Sequence, residues 1–235
     1  MDLMNTPPIV DVIIPAFNEE KSIGKVIGDI PKLVRHVVVA NNNSTDRTAE
    51  VAKAAGAQVV FEPQKGYGKA CLTAMDWIQQ QEVQPNILVF LDGDYSDYPQ
   101  ELELLIAPIL EGKADLVIGS RSLGEREAGS MTFPQVFGNA LATTLMRWMY
   151  GAKFSDLGPF RAIHWRKLIA LGMVDQNFGW TIEMQIKAHQ AGLSYMEVPV
   201  TYRKRIGVSK VSGTVKGVFG AGYKIIFTIF KYWRP

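Results

Sequence analysis

The chain has little cysteine, no long apolar run and no acidic residue after Glu197. Cys71 is the only cysteine among 235 residues, which excludes an intrachain disulfide and a cysteine-rich metal site. No charge-free apolar stretch reaches the roughly 20 residues that a membrane-spanning helix needs, and residues 1–8 lack the pattern of a signal peptide. We therefore expect a cytoplasmic protein that is peripheral at the inner face of the membrane.

Because no acidic residue follows Glu197, the carboxyl end is basic, although the net charge of the whole chain is close to zero. The formal net charge is only +2, from 25 Lys and Arg against 23 Asp and Glu. The basic residues after Glu197 are Arg203, Lys204, Arg205, Lys210, Lys216, Lys224, Lys231 and Arg234. A basic arm of this kind favours an anionic partner.

Short β-branched runs alternate with segments of helical spacing through the first half of the chain. Strands are predicted at 10–14, 36–40, 58–61, 87–91 and 115–118, and helices at 22–30, 46–55, 68–81, 99–111, 136–150 and 180–191. Ser22 and Asp46 are the predicted helix caps. This alternation predicts an α/β fold with a mainly parallel sheet flanked by helices, and binding residues in the loops after the strands.

The sequence Asp92-Gly93-Asp94 directly follows the apolar run 87–91 and is the chemical centre of the chain. A buried strand delivers its carboxyl end to the crevice where open α/β sheets bind ligands. Two carboxylates placed there can share Mg²⁺, which takes one or two carboxylates together with phosphate oxygens of a substrate. Asp and Gly are also ordinary turn residues, so this sequence alone is a weak signal.

The loops after the other predicted strands carry residues that suit a nucleotide diphosphate and a metal ion. They contain Pro15-Ala16-Phe17-Asn18-Glu19, Asn41-Asn42-Asn43 and Gly119-Ser120-Arg121. Each loop alone has a plain structural explanation, but one common site explains all of them. The Gly-, Ser- and charge-rich stretch 122–134 is typical of a mobile substrate lid.

The apolar residues of the helix predicted at 136–150 are expected to pack in the core. They are Phe137, Leu141, Leu145, Trp148 and Met149, which lie on one side of that helix.

In this order the motifs resemble the GT-A glycosyltransferases of family two, and more narrowly the dolichyl-phosphate (polyprenyl-phosphate) mannosyl- and glucosyltransferases. The resemblance extends from Val10 to Lys231 and rests on the segments 14–19, 43–48, 65–70, 92–94, 119–121, 156–162 and 205–210. It implies a Rossmann-like GT-A domain over residues 1–212, followed by a basic amphipathic helix over residues 213–235.

The resemblance also implies roles for individual residues. Pro15, Phe17 and Glu19 would border the base and ribose of a nucleotide sugar, with Asn41, Lys69, Asp92 and Gly93 completing the nucleotide-sugar site. Asp92 and Asp94 would hold Mg²⁺ or Mn²⁺. The implied catalytic set is Asp94, Arg121, Asp156, Arg205 and Lys210.

Two positions depart from the family pattern. Asn41 stands where the family usually has an aspartate that accepts a hydrogen bond from the base; an amide oxygen can still accept that bond, but without a charge. A uridine donor is favoured and GDP-mannose stays open. Ser96 stands where close relatives have a glutamine that helps to hold the cation.

The resemblance implies inverting transfer of a hexose, with glucose favoured, in one displacement. A hydroxyl acceptor would need a carboxylate base, for which Asp156 and Glu183 are the candidates. A polyprenyl phosphate is already an anion and would need cations instead. The cations available are Arg121, Arg161, Arg203, Lys204, Arg205 and Lys210, and their number favours the phosphate acceptor.

Two other enzyme classes are alternatives to the glycosyltransferase function. A sugar nucleotidyltransferase, which would release pyrophosphate, stays open. A nicotinamide-dependent oxidoreductase is disfavoured, because no glycine-rich fingerprint follows the first strand.

A helix predicted over residues 214–233 separates basic from apolar side chains. Lys216, Lys224 and Lys231 fall on one side, and Val218, Ile225, Ile226, Ile229, Phe230 and Trp233 on the other. Such a helix can lie in an anionic bilayer interface or dock on the protein's own core, and both alternatives stay open. The expected partners are a nucleotide-sugar donor, a polyprenyl-phosphate acceptor and the cytoplasmic membrane surface; no nucleic acid is expected, and a homo-oligomer is left open.

Overall fold

A seven-stranded sheet forms the centre of the molecule, in the strand order β3-β2-β1-β4-β6-β5-β7. The computed structural model describes residues 7–207 and 215–233. The strands are β1 (Val10–Ala16), β2 (Val34–Asn41), β3 (Gln58–Phe61), β4 (Ile87–Phe90), β5 (Leu116–Ser120), β6 (Arg161–His164) and β7 (Tyr195–Pro199). Only β6 runs antiparallel to its neighbours, so the predicted mainly parallel sheet is confirmed.

Helices cover both faces of the sheet. They are α1 (Ile23–Gly28), α2 (Thr48–Ala54), α3 (Tyr67–Gln79), α4 (Leu102–Leu110), α5 (Phe133–Tyr150), α6 (Trp165–Leu171), α7 (Trp180–Gln190) and α8 (Val215–Tyr232), with a 3₁₀ turn at Pro99–Glu101 before α4. One core layer lies under α1, α2 and α4, and the other under α3, α5, α6, α7 and α8. Strand residues alternate between the two layers, because successive side chains point to opposite faces.

The two predicted helix caps are confirmed only in part: Ser22 is the N-cap residue of α1, and Asp46 lies one residue before Arg47, the N-cap residue of α2. The Ser22 hydroxyl donates to the Glu19 carboxylate over 2.9 Å and makes no bond to the first turn of α1. Asp46 does accept the Thr48 N–H, over 3.0 Å, at the start of α2.

The prediction that the apolar side of α5 packs in the core was wrong for its largest residues. Phe137 and Trp148 are 59% and 83% exposed, and Leu141 is exposed as well. The helix begins at Phe133, three residues earlier than predicted, because Thr132 and Gln135 form a capping box. It turns Ala142 and Met146 toward the sheet, and large apolar side chains are left on the outside.

Helix α8 packs against α5 and α7 and also exposes aromatic side chains. Ile229 is fully buried in the core, and the Lys224 Nζ lies 2.9 Å from the Asp175 carboxylate. The exposed aromatic residues of its surface are Phe219, Tyr223, Phe227, Phe230 and, just beyond the helix, Trp233. Docking on the core and an outward apolar face are therefore both present. None of the described helices is long and apolar enough to cross a membrane.

The proposed domain boundary at residues 212 and 213 lies outside the described residues, and so does Lys210.

Candidate active site

The carboxyl ends of β1 and β4 meet at one edge of the sheet and bring two predicted loops together. Because β6 is antiparallel, its first residue, Arg161, lies opposite Phe90 at this same edge. A cavity of about 440 Å³ opens here. Predicted site residues in its wall are Pro15, Phe17, Glu19, Asp92, Gly93, Asp94 and Arg205.

Four predicted residues lie outside this wall. The Asn41 Oδ1 accepts the Ser44 N–H over 3.1 Å, and the neighbouring Asn42 lines the cavity instead. The Lys69 Nζ lies 3.7 Å from the Glu62 carboxylate. Arg121 and Asp156 bind each other beside the cavity, as described below.

Asp94 is held on both carboxylate oxygens. Its Oδ1 accepts the Ser96 N–H at 2.9 Å and the Ser96 hydroxyl at 2.5 Å. Its Oδ2 lies 2.5 Å from the Arg205 guanidinium. Ser96 therefore orients Asp94, and the following residue, Tyr95, has a positive φ of 64° that fixes the turn. A cationic group already occupies the cavity side of this carboxylate.

Asp92 lies next to Asp94 and accepts a hydrogen bond from the Tyr67 hydroxyl over 3.1 Å. Burial, followed by the nearby Asp94 charge, raises the pKa of Asp92 to about 7. Two carboxylates that repel each other in this way form a donor set that suits a hard divalent cation. No cluster of three or more His, Cys, Asp or Glu suited to a metal occurs among the described residues, so further ligands would come from a diphosphate or water.

The basic segment 203–206 is bound to the loop that carries Asp92 and Asp94. The Arg203 guanidinium stacks on Tyr95, with 3.4 Å to the ring centroid, and donates to the Tyr95 carbonyl over 2.7 Å. The Ile206 N–H donates to the Asp94 carbonyl over 2.9 Å. On its other side, the Lys204 N–H donates to Glu127 of the predicted lid over 2.8 Å. Arg205 is thereby carried to the mouth of the cavity.

Arg121 and Asp156 form a buried bidentate ion pair. The Arg121 Nε and Nη2 lie 2.9 Å and 2.6 Å from the two Asp156 oxygens, and the Arg121 backbone N–H donates to Asp156 over 2.7 Å. Asp156 is fully buried. Its carboxylate is therefore occupied in holding Arg121.

The second candidate base, Glu183, is also occupied. Its buried carboxylate accepts the Asp175 N–H and the Tyr232 hydroxyl, each over 2.7 Å, and lies 2.8 Å from the Lys187 Nζ. These bonds tie α7 to α8 and to the loop before α7.

Arg161 was wrongly counted among the cations available to an acceptor phosphate. Its side chain is fully buried and donates to the backbone carbonyls of Leu157, Gly158 and Thr181. It fixes the loop that carries Asp156.

Sequence reasoning missed several residues of the site. The cavity wall also contains Lys65, Gly66, Tyr67, Gln135, Asn177 and Phe178. Lys65 lies over the Phe17 ring, 4.7 Å from its centroid, and makes a cationic and aromatic wall. The motif 65–70 pointed to Tyr67, whereas Gln135, Asn177 and Phe178 follow no predicted strand. Asp97 was missed as well: it is buried, and neither of its carboxyl oxygens has a hydrogen-bond partner among the described residues.

Comparison with known proteins agrees with this architecture. The family model described as "Glycosyl transferase family 2" matches residues 11–171. An uncharacterized glycosyltransferase of Mycobacterium tuberculosis is 35% identical over 96% of each chain. A dolichyl-phosphate hexose transferase of Haloferax volcanii is 30% identical over 85% of each chain. A polyprenol monophosphomannose synthase of Mycolicibacterium smegmatis is 30% identical over 86% of this chain and 81% of its own.

The fold matches a solved structure at a more distant level. Glucosyl-3-phosphoglycerate synthase from Mycobacterium tuberculosis, crystallised with Mn²⁺, UDP and glucosyl-3-phosphoglycerate, has a TM-score of 0.75 and 22% identity, over 96% of this chain and 80% of that chain. The GT-A fold is thus confirmed, and the predicted resemblance is confirmed by the sequence relatives. This chain belongs to glycosyl transferase family 2.

Proposed function

We propose that this protein transfers a hexose, glucose in the first instance, from a nucleotide sugar to a polyprenyl phosphate, with inversion and with a divalent cation. The observation that carries the proposal is that Asp92, Asp94 and Arg205 line the same cavity as a set of aromatic and amide side chains. These are Phe17, Tyr67, Phe178, Asn42, Gln135 and Asn177. Two relatives named for transfer to dolichyl phosphate or polyprenol support the lipid acceptor.

On the donor side, we assign one part of the cavity wall to the nucleotide and another to its diphosphate. Phe17 and Lys65 border the nucleotide end, and we favour UDP over GDP there. Asp92 and Asp94 would hold Mg²⁺ or Mn²⁺, which when bound stabilises the negative charge that develops on the leaving diphosphate. Tyr67 and Ser96 orient the two carboxylates, and Arg205 supplies a guanidinium that suits phosphate geometry.

On the acceptor side, the candidate bases support a phosphate nucleophile. Asp156 and Glu183 are both buried and bonded, so neither is free to accept a proton from a hydroxyl group. A lipid phosphate is already ionised and needs no base. It needs only to be positioned opposite the leaving group, which gives inversion in one displacement.

The outer surface supports a membrane-borne acceptor. Aromatic side chains of α5 and α8 face outward, and an aromatic face flanked by basic residues binds an anionic bilayer interface. We therefore propose a peripheral location at the inner face of the membrane.

The test is transfer of radiolabelled sugar to lipid. Purified protein is incubated with Mn²⁺, undecaprenyl phosphate and UDP-glucose, UDP-galactose or GDP-mannose in turn, and the product is identified by mass spectrometry. Asp76→Asn is the control variant for Asp94→Asn in this assay, because Asp76 is exposed on α3, away from the cavity. Labelled lipid is expected with one donor. Its absence with every donor, while UDP still binds, would overturn the lipid acceptor.

A soluble acceptor is the second candidate. It is favoured by the fold similarity to a synthase crystallised with phosphoglyceric acid, over 96% of this chain. Label in the aqueous fraction of the same assay, with none in the lipid, would establish it. Release of pyrophosphate from UTP and a hexose 1-phosphate, in a separate assay without lipid, would establish the nucleotidyltransferase alternative.

A further inference from the structure

A second cavity of about 320 Å³ lies between the predicted lid, α5 and the segment before β6. The polar side chains in its wall are Ser122, Arg126, Asn139, Thr143, Thr144, Arg147 and Ser155. It is separate from the cavity of about 440 Å³ described above, which we call the donor cavity. In the first turn of α5, Gln135 lines the donor cavity and Val136 lines this second one. We call it the α5 pocket.

Among the described residues, the side chains that line the α5 pocket carry only positive charge, and the nearest carboxylate given by the hydrogen bonds is Glu197, which accepts the Ser155 backbone N–H behind the wall. The pocket wall contains two arginines and no Asp or Glu. The Arg147 guanidinium makes no ion pair or hydrogen bond within the described residues, and that of Arg126 contacts only the Met131 Sδ, at 3.4 Å. Unpaired guanidinium groups beside hydroxyl donors match the charge and geometry of a phosphate group.

The floor of the pocket is rigid, because side chains tie its segments together. The Asn139 Nδ2 donates to the Ser155 carbonyl over 3.0 Å, and the Asn139 Oδ1 accepts the Leu157 N–H over 2.8 Å. The Ser155 and Ser120 hydroxyls lie 2.8 Å apart. These bonds fix α5 against the loop that carries Asp156, so the pocket is formed before any ligand arrives.

The pocket lies beside an exposed apolar strip of the same helix. At about 100° per residue, Phe133, Phe137, Leu141 and Trp148 fall within a sector of about 80°. Phe133 is 80% exposed and Trp148 83%. Asn139, Thr143 and Arg147 occupy the adjacent sector. A molecule with its phosphate in the pocket would place an attached hydrocarbon chain along this strip.

We propose that the α5 pocket binds the phosphate group of a membrane lipid. The inference rests on the proposed function only for the location at a membrane, and needs no assumption about the donor. Two lipids carry the required chemistry: an anionic phospholipid of the bilayer and the polyprenyl phosphate acceptor itself. Arg126 and Arg147 would hold the phosphate, and the aromatic strip would contact the chain.

Vesicle flotation tests this proposal with three compositions: phosphatidylcholine alone, phosphatidylcholine with phosphatidylglycerol, and phosphatidylcholine with undecaprenyl phosphate at matched surface charge. Arg147→Gln removes a pocket charge, and Ala140→Phe fills the pocket without changing charge. Arg166→Gln is the matched control. Arg166 is exposed on α6, which follows the end of β6 that pairs with the first residue of β4, so it lies at the edge of the sheet opposite the donor cavity.

We expect Arg147→Gln to weaken binding to phosphate-rich vesicles about fivefold. Ala140→Phe should weaken it in the same direction, and Arg166→Gln should stay within about twofold of the wild type. If the variants lose binding only to vesicles with undecaprenyl phosphate, the pocket is assigned to the acceptor. If they lose binding only to vesicles with phosphatidylglycerol, it is assigned to bilayer lipid. Loss of binding to both shows recognition of any lipid phosphate.

The proposal is overturned if Arg147→Gln behaves as Arg166→Gln on all vesicles, or if Ala140→Phe binds as the wild type does. Unchanged UDP–Mn²⁺ affinity of each variant shows that it is folded. Because flotation requires no turnover, pocket-dependent binding with no sugar transfer would remove the proposed function and leave this inference standing.

Discussion

Asp97 follows the Asp92–Asp94 pair in the sequence, and its buried carboxyl group has no hydrogen-bond partner among the described residues. Burial, followed by the charges of Asp92 and Asp94, raises the pKa of Asp97 well above its ordinary value. Between the unfolded pKa of about 3.9 and the folded pKa, the native state keeps a proton that the unfolded chain loses. The free energy of unfolding therefore falls as pH rises through this interval.

We expect Asp97→Asn to stabilise the donor-free protein, and more at pH 8 than at pH 5. An amide of nearly the same shape removes the cost of an unpartnered buried carboxylate, which is about 1–3 kcal/mol. Urea unfolding at the two pH values measures the difference. Asp76→Asn, at an exposed position, should change little at either pH, and an equal effect of Asp97→Asn at both would contradict the assignment.

Asp94→Asn should lower the affinity for Mn²⁺ in the presence of UDP by about 10–100-fold or more, because a proposed carboxylate ligand is lost and the described residues offer no cluster of three acidic ligands to replace it. Electron paramagnetic resonance of free Mn²⁺ measures this directly, without turnover. The same titration of Asp76→Asn should match the wild type. Retention of Mn²⁺ binding by Asp94→Asn would place the cation elsewhere.

Among the elements, α3 has the least room at its start. A Cβ built on Gly68 would lie 2.0 Å from the Asp175 carbonyl oxygen, so the helix can approach the loop before α7 only with glycine here. That loop supplies Asn177 and Phe178 to the donor cavity.

Gly68→Ala should therefore lower the free energy of unfolding by about 3 kcal/mol and weaken UDP binding. Gly138→Ala is its matched opposite, because Gly138 lies inside α5 with no atom within 4 Å of the added Cβ. That change should raise the free energy of unfolding by about 0.5–1 kcal/mol. Denaturant titration measures both, and a tolerated Gly68→Ala would disprove the close approach.

The loop before β6 is joined to the end of β5 by the Arg121–Asp156 pair. Asp156→Asn leaves the Arg121 guanidinium buried without a counter-charge, and we expect a loss of about 3–5 kcal/mol in the free energy of unfolding. Arg121→Met combined with Asp156→Leu should recover much of this stability while remaining inactive. Loss of activity in Asp156→Asn without loss of stability would instead restore Asp156 as a candidate base.

The elements that followed a regular pattern were predictable, and those that did not were missed. The buried strand β4 is apolar throughout, β1 is apolar except for Asp11, and Gln58–Phe61 has the predicted bounds. β6 was missed because Arg161, at its start, is charged in sequence and buried in the fold, where backbone carbonyls satisfy it. The outward face of α5 was misassigned because apolar spacing shows that a helix has an apolar side, but not what that side contacts.

At the scale of the whole molecule, the exposed aromatic residues of the described part of the chain lie on two helices that pack together, α5 and α8, or just beyond α8, apart from Phe61 and Phe178. The strip on α5 is formed by Phe133, Phe137, Leu141 and Trp148, and α8 exposes Phe219 and Tyr223, among others, at 75% and 72%. Exposed apolar patches of this kind mark interaction sites.

Phe137→Ser combined with Trp148→Ser should lower binding to neutral phosphatidylcholine vesicles by at least about tenfold, because each lost aromatic group removes apolar contact with the bilayer. UDP binding should not change. Leu104→Ser is the control, since Leu104 is exposed on α4, which covers the other face of the sheet. Equal binding of the double variant and the control would exclude α5 from the membrane contact.

The donor site could be predicted further from the sequence than the acceptor side could. Pro15 lies near the end of β1, and Phe17, Asp92 and Asp94 come within four residues after a strand, so the sheet topology alone brings them together. Arg205 and Gln135 reach the same cavity through long-range packing that no local pattern reports.

The Arg205–Asp94 contact means that the resting protein carries its own internal counter-ion. If Asp94 ligates the metal ion as proposed, that ion has to displace the guanidinium, so Mn²⁺ alone should bind poorly, whereas Mn²⁺ already chelated by a nucleotide offers Arg205 a diphosphate in exchange. We then expect metal and donor to enter as one species, which would set the order of loading before catalysis begins.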